Sequence, residues 1–294
     1  MKVIKPISFT PSMLVSTNAA ESNPNYSAGT TYAKDAIVNY GTHLYQSLVN
    51  NNLGNTPSTS PLYWVDAGPN NIHAMFDNQV STSTVSTTPL TVVFKPGIFN
   101  SLAFFGLIGN SLTITVRDGT GGAVIYTKTF SLDGTIISDW YQYYFEPFVQ
   151  RAEAVMSDIP PYTNAEVTIS LSGSGNVAIG LCSFGTFYEL GSAEYGASAG
   201  ITDYSRKDTD DFGVTTFVQR AYSKRMSARL MFDNAQLNKV QRILADIRAT
   251  PCVWIGVDDE DYLPLTVFGF YRDFSVDIAY PTKSYCSLEI EGLT

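Results

Sequence analysis

The sequence predicts a mainly β protein: a small aromatic-rich β module, a jelly-roll-like β-sandwich, and a C-terminal antiparallel sheet with one α-helix. Three observations predict it. Aromatic residues are 13% and charged residues only 15% of the 294, with Ser, Thr, Gly and Asn abundant, a balance that suits pleated, turn-rich structure. Short apolar runs punctuated by glycine turns recur from Val80 to Leu190. One stretch alone, Leu237, Val240, Ile243, Leu244 and Ile247, spaces its apolar residues as a helix does.

Residues 1–25 open with Val3, Ile4, Ile7 and Phe9 and then become a linker by composition. The apolar lead is compatible with an arm lying on a neighbouring subunit and with a strand of its own chain. Residues 26–69 concentrate tyrosines, one tryptophan and turn formers, with almost no aliphatic core and no cysteine. So small a unit needs its rings for packing, and Tyr32, Tyr40, Tyr45 and Trp64 are core residues first on the area each buries.

Residues 76–190 read as the sandwich. Ser111 to Arg117 alternates polar and apolar cleanly, Asp118 to Gly122 is a turn, and Ala123 to Phe130 returns from it. Residues 139–148 carry Trp140, Tyr141, Tyr143, Tyr144, Phe145 and Phe148, a density that assigns most of these rings to core or interface. Residues 191–213 are poor in aliphatic side chains and read as a long connecting loop. Residues 214–294 form an α+β unit. Its helix is capped by Asp233 or Asn234 and stopped by Thr250-Pro251.

Composition also limits function. A net charge of −9 without a basic stripe disfavours nucleic acid. Cys182, Cys252 and Cys286 are odd in number and sit in apolar runs, as buried thiols made in a reducing cytosol would. The start has no uninterrupted apolar core of signal-peptide length, and no run approaches a membrane span. The expectation is a soluble protein with neither export signal nor membrane insertion.

Reactive chemistry finds little footing. The two histidines, His43 and His73, lie far apart in sequence, and no HExxH, CxxC, Gly-x-Ser-x-Gly or phosphate-cradling glycine loop occurs. No catalytic residue, metal or cofactor is therefore expected. Asp208, Asp210 and Asp211, and the turn at Asp258, Asp259, Glu260 and Asp261, lack EF-hand spacing; they read as solvated acidic turns.

Two resemblances add to this reading. Tyr32, Asp35, Val38, Tyr40, Gly41, Tyr45, Gly54, Pro57 and Trp64 follow the order found in small chitin- and cellulose-binding modules of the type 5/12 carbohydrate-binding class. That resemblance implies that Tyr32, Tyr40, Tyr45 and Trp64 contact a glycan. The sequence departs from it at Ser47, Leu48, Val49 and Asn50, where the family often carries extra tryptophans. The strand-strand-helix-strand-strand order of the C-terminal part resembles tube-forming and distal-tail domains of tailed bacteriophages, whose sheets join into rings. Together the parts resemble phage tail or baseplate structural proteins. The resemblance implies a virion tail protein assembled in the bacterial host cytoplasm. Its partners would be other copies of itself, other virion tail proteins and host-surface glycan. The other reading is a secreted polysaccharide-binding accessory protein or glycan-active enzyme.

Overall fold

The computed structural model describes residues 1–87, 89–135, 137–257 and 260–293, with the backbone alone at Glu260 and Asp261. The chain opens with β1 (Lys2–Pro6) and β2 (Leu14–Thr17). The small module follows as β3 (Ile37–Tyr40), β4 (His43–Ser47) and β5 (Trp64–Pro69), a three-stranded antiparallel sheet. Next come β6 (Thr84–Ser86), β7 (Leu90–Phe94), β8 (Ser101–Phe105), β9 (Ser111–Asp118) and β10 (Val124–Ser131). A short helix α1 (Trp140–Phe145) precedes β11 (Ala154–Met156), β12 (Ala165–Ser172), β13 (Val177–Ile179) and β14 (Leu181–Glu189).

The C-terminal part contains β15 (Ser192–Ala193), β16 (Ser198–Asp203), β17 (Arg206–Thr209), β18 (Thr215–Val218) and β19 (Tyr222–Asp233). Helix α2 (Leu237–Asp246) then leads to β20 (Cys252–Ile255), β21 (Thr266–Asp277) and β22 (Lys283–Gly292). The protein is mainly β, as its composition predicts.

The sandwich is a five-stranded sheet, β10-β9-β12-β7-β2, facing the end of a ten-stranded sheet, β11-β8-β14-β1-β20-β21-β22-β19-β15, in which β16 also pairs with β19. In β9, Leu112, Ile114 and Val116 point into the core, while Ser111, Thr113, Thr115 and Arg117 face outward. Outward hydroxyls pair across to β10, Thr113 with Thr129 at 2.9 Å and Thr115 with Thr127 at 3.0 Å. Alternation fails in β8 for a physical reason. Leu102 and Phe104 enter the sandwich core, whereas Ala103 and Phe105 enter a second core on the opposite face, so every residue is apolar or buried.

The second core explains the large sheet. Ile4 of β1 joins Ala103, Phe105, Leu181, Val253, Ile255 and Phe268 there, and all are buried. Val3 points the other way, into the core that α2 closes with Val240, Ile243 and Leu244 over Trp254, Leu230 and Leu288. Strand β1 is thus the seam, pairing with β14 of the sandwich on one side and β20 on the other. The backbones come so close that a Cβ on Gly185 would lie 1.9 Å from the Lys5 carbonyl oxygen. Lys5 forms an ion pair with Asp246 at the end of α2.

Several sequence expectations need correction. Of the two readings of the N-terminal lead, β1 takes the strand of its own chain, while β2 is a strand of the sandwich whose last two residues, Ser16 and Thr17, begin the stretch read as linker. Residues 191–213 are not a loop: β15 and β16 extend the large sheet, and β17 pairs with β18 as a hairpin. Their polar side chains hide strand character because both faces of the hairpin meet solvent. Neither Asp233 nor Asn234 caps the helix by its side chain; Asp233 pairs with Lys283, and Asn234 donates to the carbonyls of Tyr280 and Pro281. The helix ends at Asp246, before Thr250-Pro251, and the chain turns through Ala249 at a φ of 56°.

Ile4→Ala is expected to destabilise the protein by about 2–5 kcal/mol in urea titration, because the second core cannot collapse around the void. Leu62→Ala, at a position 81% exposed, should change stability by no more than about 0.5 kcal/mol. Equal effects for the two would remove β1 from its structural role.

Candidate functional site

The register of the small module decides which rings are core and which are surface. Residues opposite each other in an antiparallel pair share a face, so Val38, Tyr40, His43, Tyr45, Ser47, Trp64 and Asp66 lie together. At one end of this face Trp64, Val38 and Tyr32 form the core. Tyr32 is 9% and Trp64 3% exposed. The Tyr32 hydroxyl accepts from the Ser27 amide at 2.7 Å, and Trp64 Nε1 donates to the Asn55 carbonyl at 2.9 Å. These two rings hold the module together and have no free face for a ligand.

At the other end the face opens. Tyr40 is 36% exposed, and Tyr45 and His43 are half-buried. Ring contacts run continuously from core to surface: Trp64 to Tyr26 at 5.9 Å, Tyr26 to Tyr40 at 5.7 Å, Tyr40 to Tyr45 at 6.2 Å and Tyr45 to His43 at 6.5 Å. His43 Nδ1 lies 3.0 Å from Asp66 Oδ1, and the Gly68 amide donates to that oxygen at 2.8 Å. Of the four aromatic residues expected to contact glycan, the structure brings Tyr40 and Tyr45 to the surface and places Tyr32 and Trp64 inside. Asp66 has no sequence signal, because its position opposite Tyr45 depends on the irregular register between His43 and Tyr45.

Charge states follow from this geometry. Burial pushes the Tyr45 phenol up, and the neighbouring Asp66 and Tyr40 add to the shift, so it stays a hydrogen-bond donor at neutral pH. Burial also pushes the Asp66 carboxyl up, but the hydrogen bonds from His43 and the Gly68 amide outweigh it and hold the group below its usual value. A neutral phenol beside an ionised carboxylate, with Tyr40 alongside, offers a ring face, a donor and an acceptor on one small surface.

Two further surfaces are apolar and uncovered. Helix α1 carries Trp140 at 80% exposure, with Tyr141, Tyr143, Tyr144 and Phe145 also exposed. The density of rings there does not make them core. The excursion leaves the sandwich at a closed neck, where the Gly134 amide donates to the Val149 carbonyl at 2.8 Å, and no residue of α1 is buried. The hairpin β17–β18, with its flanks at Tyr204 and Tyr222, forms an arm whose Phe212 is 94% and Phe217 73% exposed.

The acidic loop on that arm is structural. Arg206 pairs with Asp208 at 2.8 Å, and the Asp210 carboxylate accepts from the amides of Phe212 at 3.0 Å and Val214 at 2.8 Å. Of the acidic turn, Asp258 and Asp259 lie outside the described residues, as do the side chains of Glu260 and Asp261. Among the described residues, no group of three His, Cys, Asp or Glu side chains is arranged to hold a metal ion. The three cysteines are buried and unpaired, and burial pushes the Cys252 thiol up to about 12 and that of Cys286 up to about 11.

No family model matches the chain. No curated protein matches it either. Among solved structures, the F5/8 type C domain of a Bacteroides fragilis protein is similar at a TM-score of 0.26 and 14% identity, covering 38% of this chain and 78% of that one. A likeness at that level carries no argument about the site.

Because the folded Asp66 carboxyl titrates below its ordinary 3.8, the stability it contributes is present above that value and is lost as pH falls through the folded one. Asp66→Asn should therefore destabilise the protein near neutral pH, and the difference from wild type should close as the solution is acidified. NMR titration of the Asp66 carboxyl carbon gives the independent check; a midpoint at or above 3.8 would contradict it. Trp64→Ala is expected to cost about 3–5 kcal/mol.

Proposed function

We propose that this chain is a non-catalytic structural subunit of a phage tail tip, baseplate or tail-fibre attachment. In this reading it docks in a symmetric assembly through its C-terminal sheet and touches host-surface glycan through the small module. The observation that carries the reading is the sheet's two open edges beside an arm whose exposed rings no described residue covers. Among the described residues, strand β16 has β19 on one side only, and β21 beyond Gly269 has β22 alone, because β20 pairs only as far as that residue. Exposed edges that long invite another chain, and a two-stranded hairpin is marginally stable by itself.

The glycan part of the reading is supported by the open end of the module. Tyr40 and Tyr45 can stack on the apolar face of a pyranose while Asp66 and the Tyr45 hydroxyl meet its hydroxyl groups. So small a surface binds weakly by itself, and many copies in one particle supply avidity. The buried, unpaired thiols accord with assembly in a reducing bacterial cytoplasm. The same open face favours the second reading, a polysaccharide-binding accessory protein, which needs no assembly.

Light scattering with negative-stain microscopy separates these readings. The expected result is a closed multimer. A monomer at roughly 100 μM, where a contact of about −5.5 kcal/mol is half-saturated, would overturn the structural-subunit reading. For the module, Tyr40→Ala and Tyr45→Ala should each weaken retention on immobilised polysaccharide by roughly tenfold, the loss expected on truncating an aromatic anchor. Their near-ultraviolet circular dichroism should show the module still folded; unchanged retention would leave the module without a sugar-binding role.

A further inference from the structure

The exposed helix α1 is arranged differently from the open face of the small module. At about 100° per residue, Tyr143, Trp140, Tyr144, Tyr141 and Phe145 spread over roughly 200° of the helix circumference. Only Gln142 interrupts them, and its side chain is used at the helix start, where its carbonyl oxygen accepts from the Ser138 amide at 2.7 Å. A flat ligand such as a sugar ring covers one side of such a cylinder. Covering this arc takes a surface that wraps around it.

The area is that of a protein contact. With Phe148, the six rings are 59–80% exposed, which at about 150–250 Å² per ring leaves roughly 600–1,000 Å² uncovered, a range that spans the ~800 Å² per partner of a standard interface. Charge narrows the partner further. Residues 129–150 contain Asp133, Asp139 and Glu146 and no lysine or arginine, so the excursion is acidic as well as aromatic.

The arm is its counterpart. In the β17–β18 register Lys207 stands opposite Phe217, which puts a cation beside an exposed ring on one face. Arg206 is taken by Asp208, and Asp210 by the turn amides, while Lys207 and Arg220 form no ion pair among the described residues. Asp211 sits at the far turn. The two surfaces therefore match in character, one aromatic and acidic, the other apolar and basic at Phe217. Both are exposed in the same chain, so neither covers the other from within.

We infer that the α1 excursion of one copy docks on the Phe217 face of the β17–β18 arm of a second copy. The inference rests on the assembly reading above and names one of its contacts. The rings of α1 close over Phe217, and Glu146 meets Lys207.

The test uses the full chain. Trp140→Ser combined with Tyr144→Ser should weaken self-association by at least roughly tenfold, as loss of aromatic anchors does, while the urea midpoint stays at the wild-type value because both rings are exposed. Phe217→Ser should do the same. Single substitutions Tyr144→Cys and Phe217→Cys, mixed under oxidising conditions, should give a covalent dimer between the two variants roughly tenfold above either variant alone, since a disulfide requires Cα atoms within about 7 Å. An assembly that keeps its mass in both serine variants, or that forms without the mixed disulfide, overturns this contact and leaves the assembly reading standing. A monomeric wild-type protein overturns both.

Discussion

Strand β1 is the constraint on which the architecture depends. It consists of Lys2 to Pro6, yet it pairs with residues 185–189 on one side and 253–255 on the other. Without it the sandwich sheet would end at β14 and the C-terminal sheet at β20, each with an unpaired edge over apolar side chains. Val3 and Ile4 fill opposite cores, so one dipeptide ties the helix-covered layer to the core behind the sandwich. The continuity is a long-range one: the first strand of the chain completes its pairing only when segments far downstream are in place, a topology that folds slowly compared with local hairpins. Lys224 and Glu153 add a second tie at 2.5 Å, between β19 and the segment before β11. Burial raises the Glu153 carboxyl, against the pull of Lys224 and Arg151.

Elements with one wet and one dry face were legible in the sequence, because a single periodicity describes them. Strand β9, with its Leu112, Ile114 and Val116 alternation, and helix α2, with Val240, Ile243 and Leu244, are of this kind. Elements with two dry faces or two wet faces were not. Strand β1 is too short for a pattern, and its Val3-Ile4 pair reads equally as an arm on a neighbouring subunit or a strand of its own chain. Strand β17 shows no apolar stripe because each of its residues is exposed, so its polarity reads as loop, whereas β18, the other half of the hairpin, lies in the part read as the α+β unit. The candidate site was half legible. Tyr32, Tyr40, Tyr45 and Trp64 are glycan candidates only through the resemblance to carbohydrate-binding modules, and residue order does not tell a core tyrosine from a surface one; the β3–β4–β5 register does, and it separates Tyr40 and Tyr45 from Tyr32 and Trp64.

The module and the α1 excursion use aromatic residues for opposite ends. In the module, rings substitute for the missing aliphatic core, and each polar atom of Tyr32 and Trp64 is committed to a backbone partner. What reaches the surface is the remainder of a packed ladder, held rigid from behind, with the His43–Asp66 pair fixing the edge. Rigid rings lose little entropy when a ligand stacks on them, which suits weak contacts repeated many times. In α1 the rings touch mainly one another, Tyr141 with Phe145 at 4.8 Å and Tyr143 with Tyr144 at 5.1 Å, and the helix has no buried residue.

That contrast bears on what each surface tolerates when left uncovered. A chain with low charge content and open strand edges is at risk of indiscriminate association, and uncovered rings add to it. A net charge of −9 opposes such encounters generally. It also acts against copies of the chain meeting at random faces, so a specific self-contact must bring opposite local charges together. Lys207 on the arm stands opposite Phe217 in a chain that is otherwise acidic, and the excursion around α1 has carboxylates and no cation. In the proposed contact this local reversal of the overall sign, beside rings on both surfaces, would let two copies attract at this pair of sites while the net charge opposes other encounters.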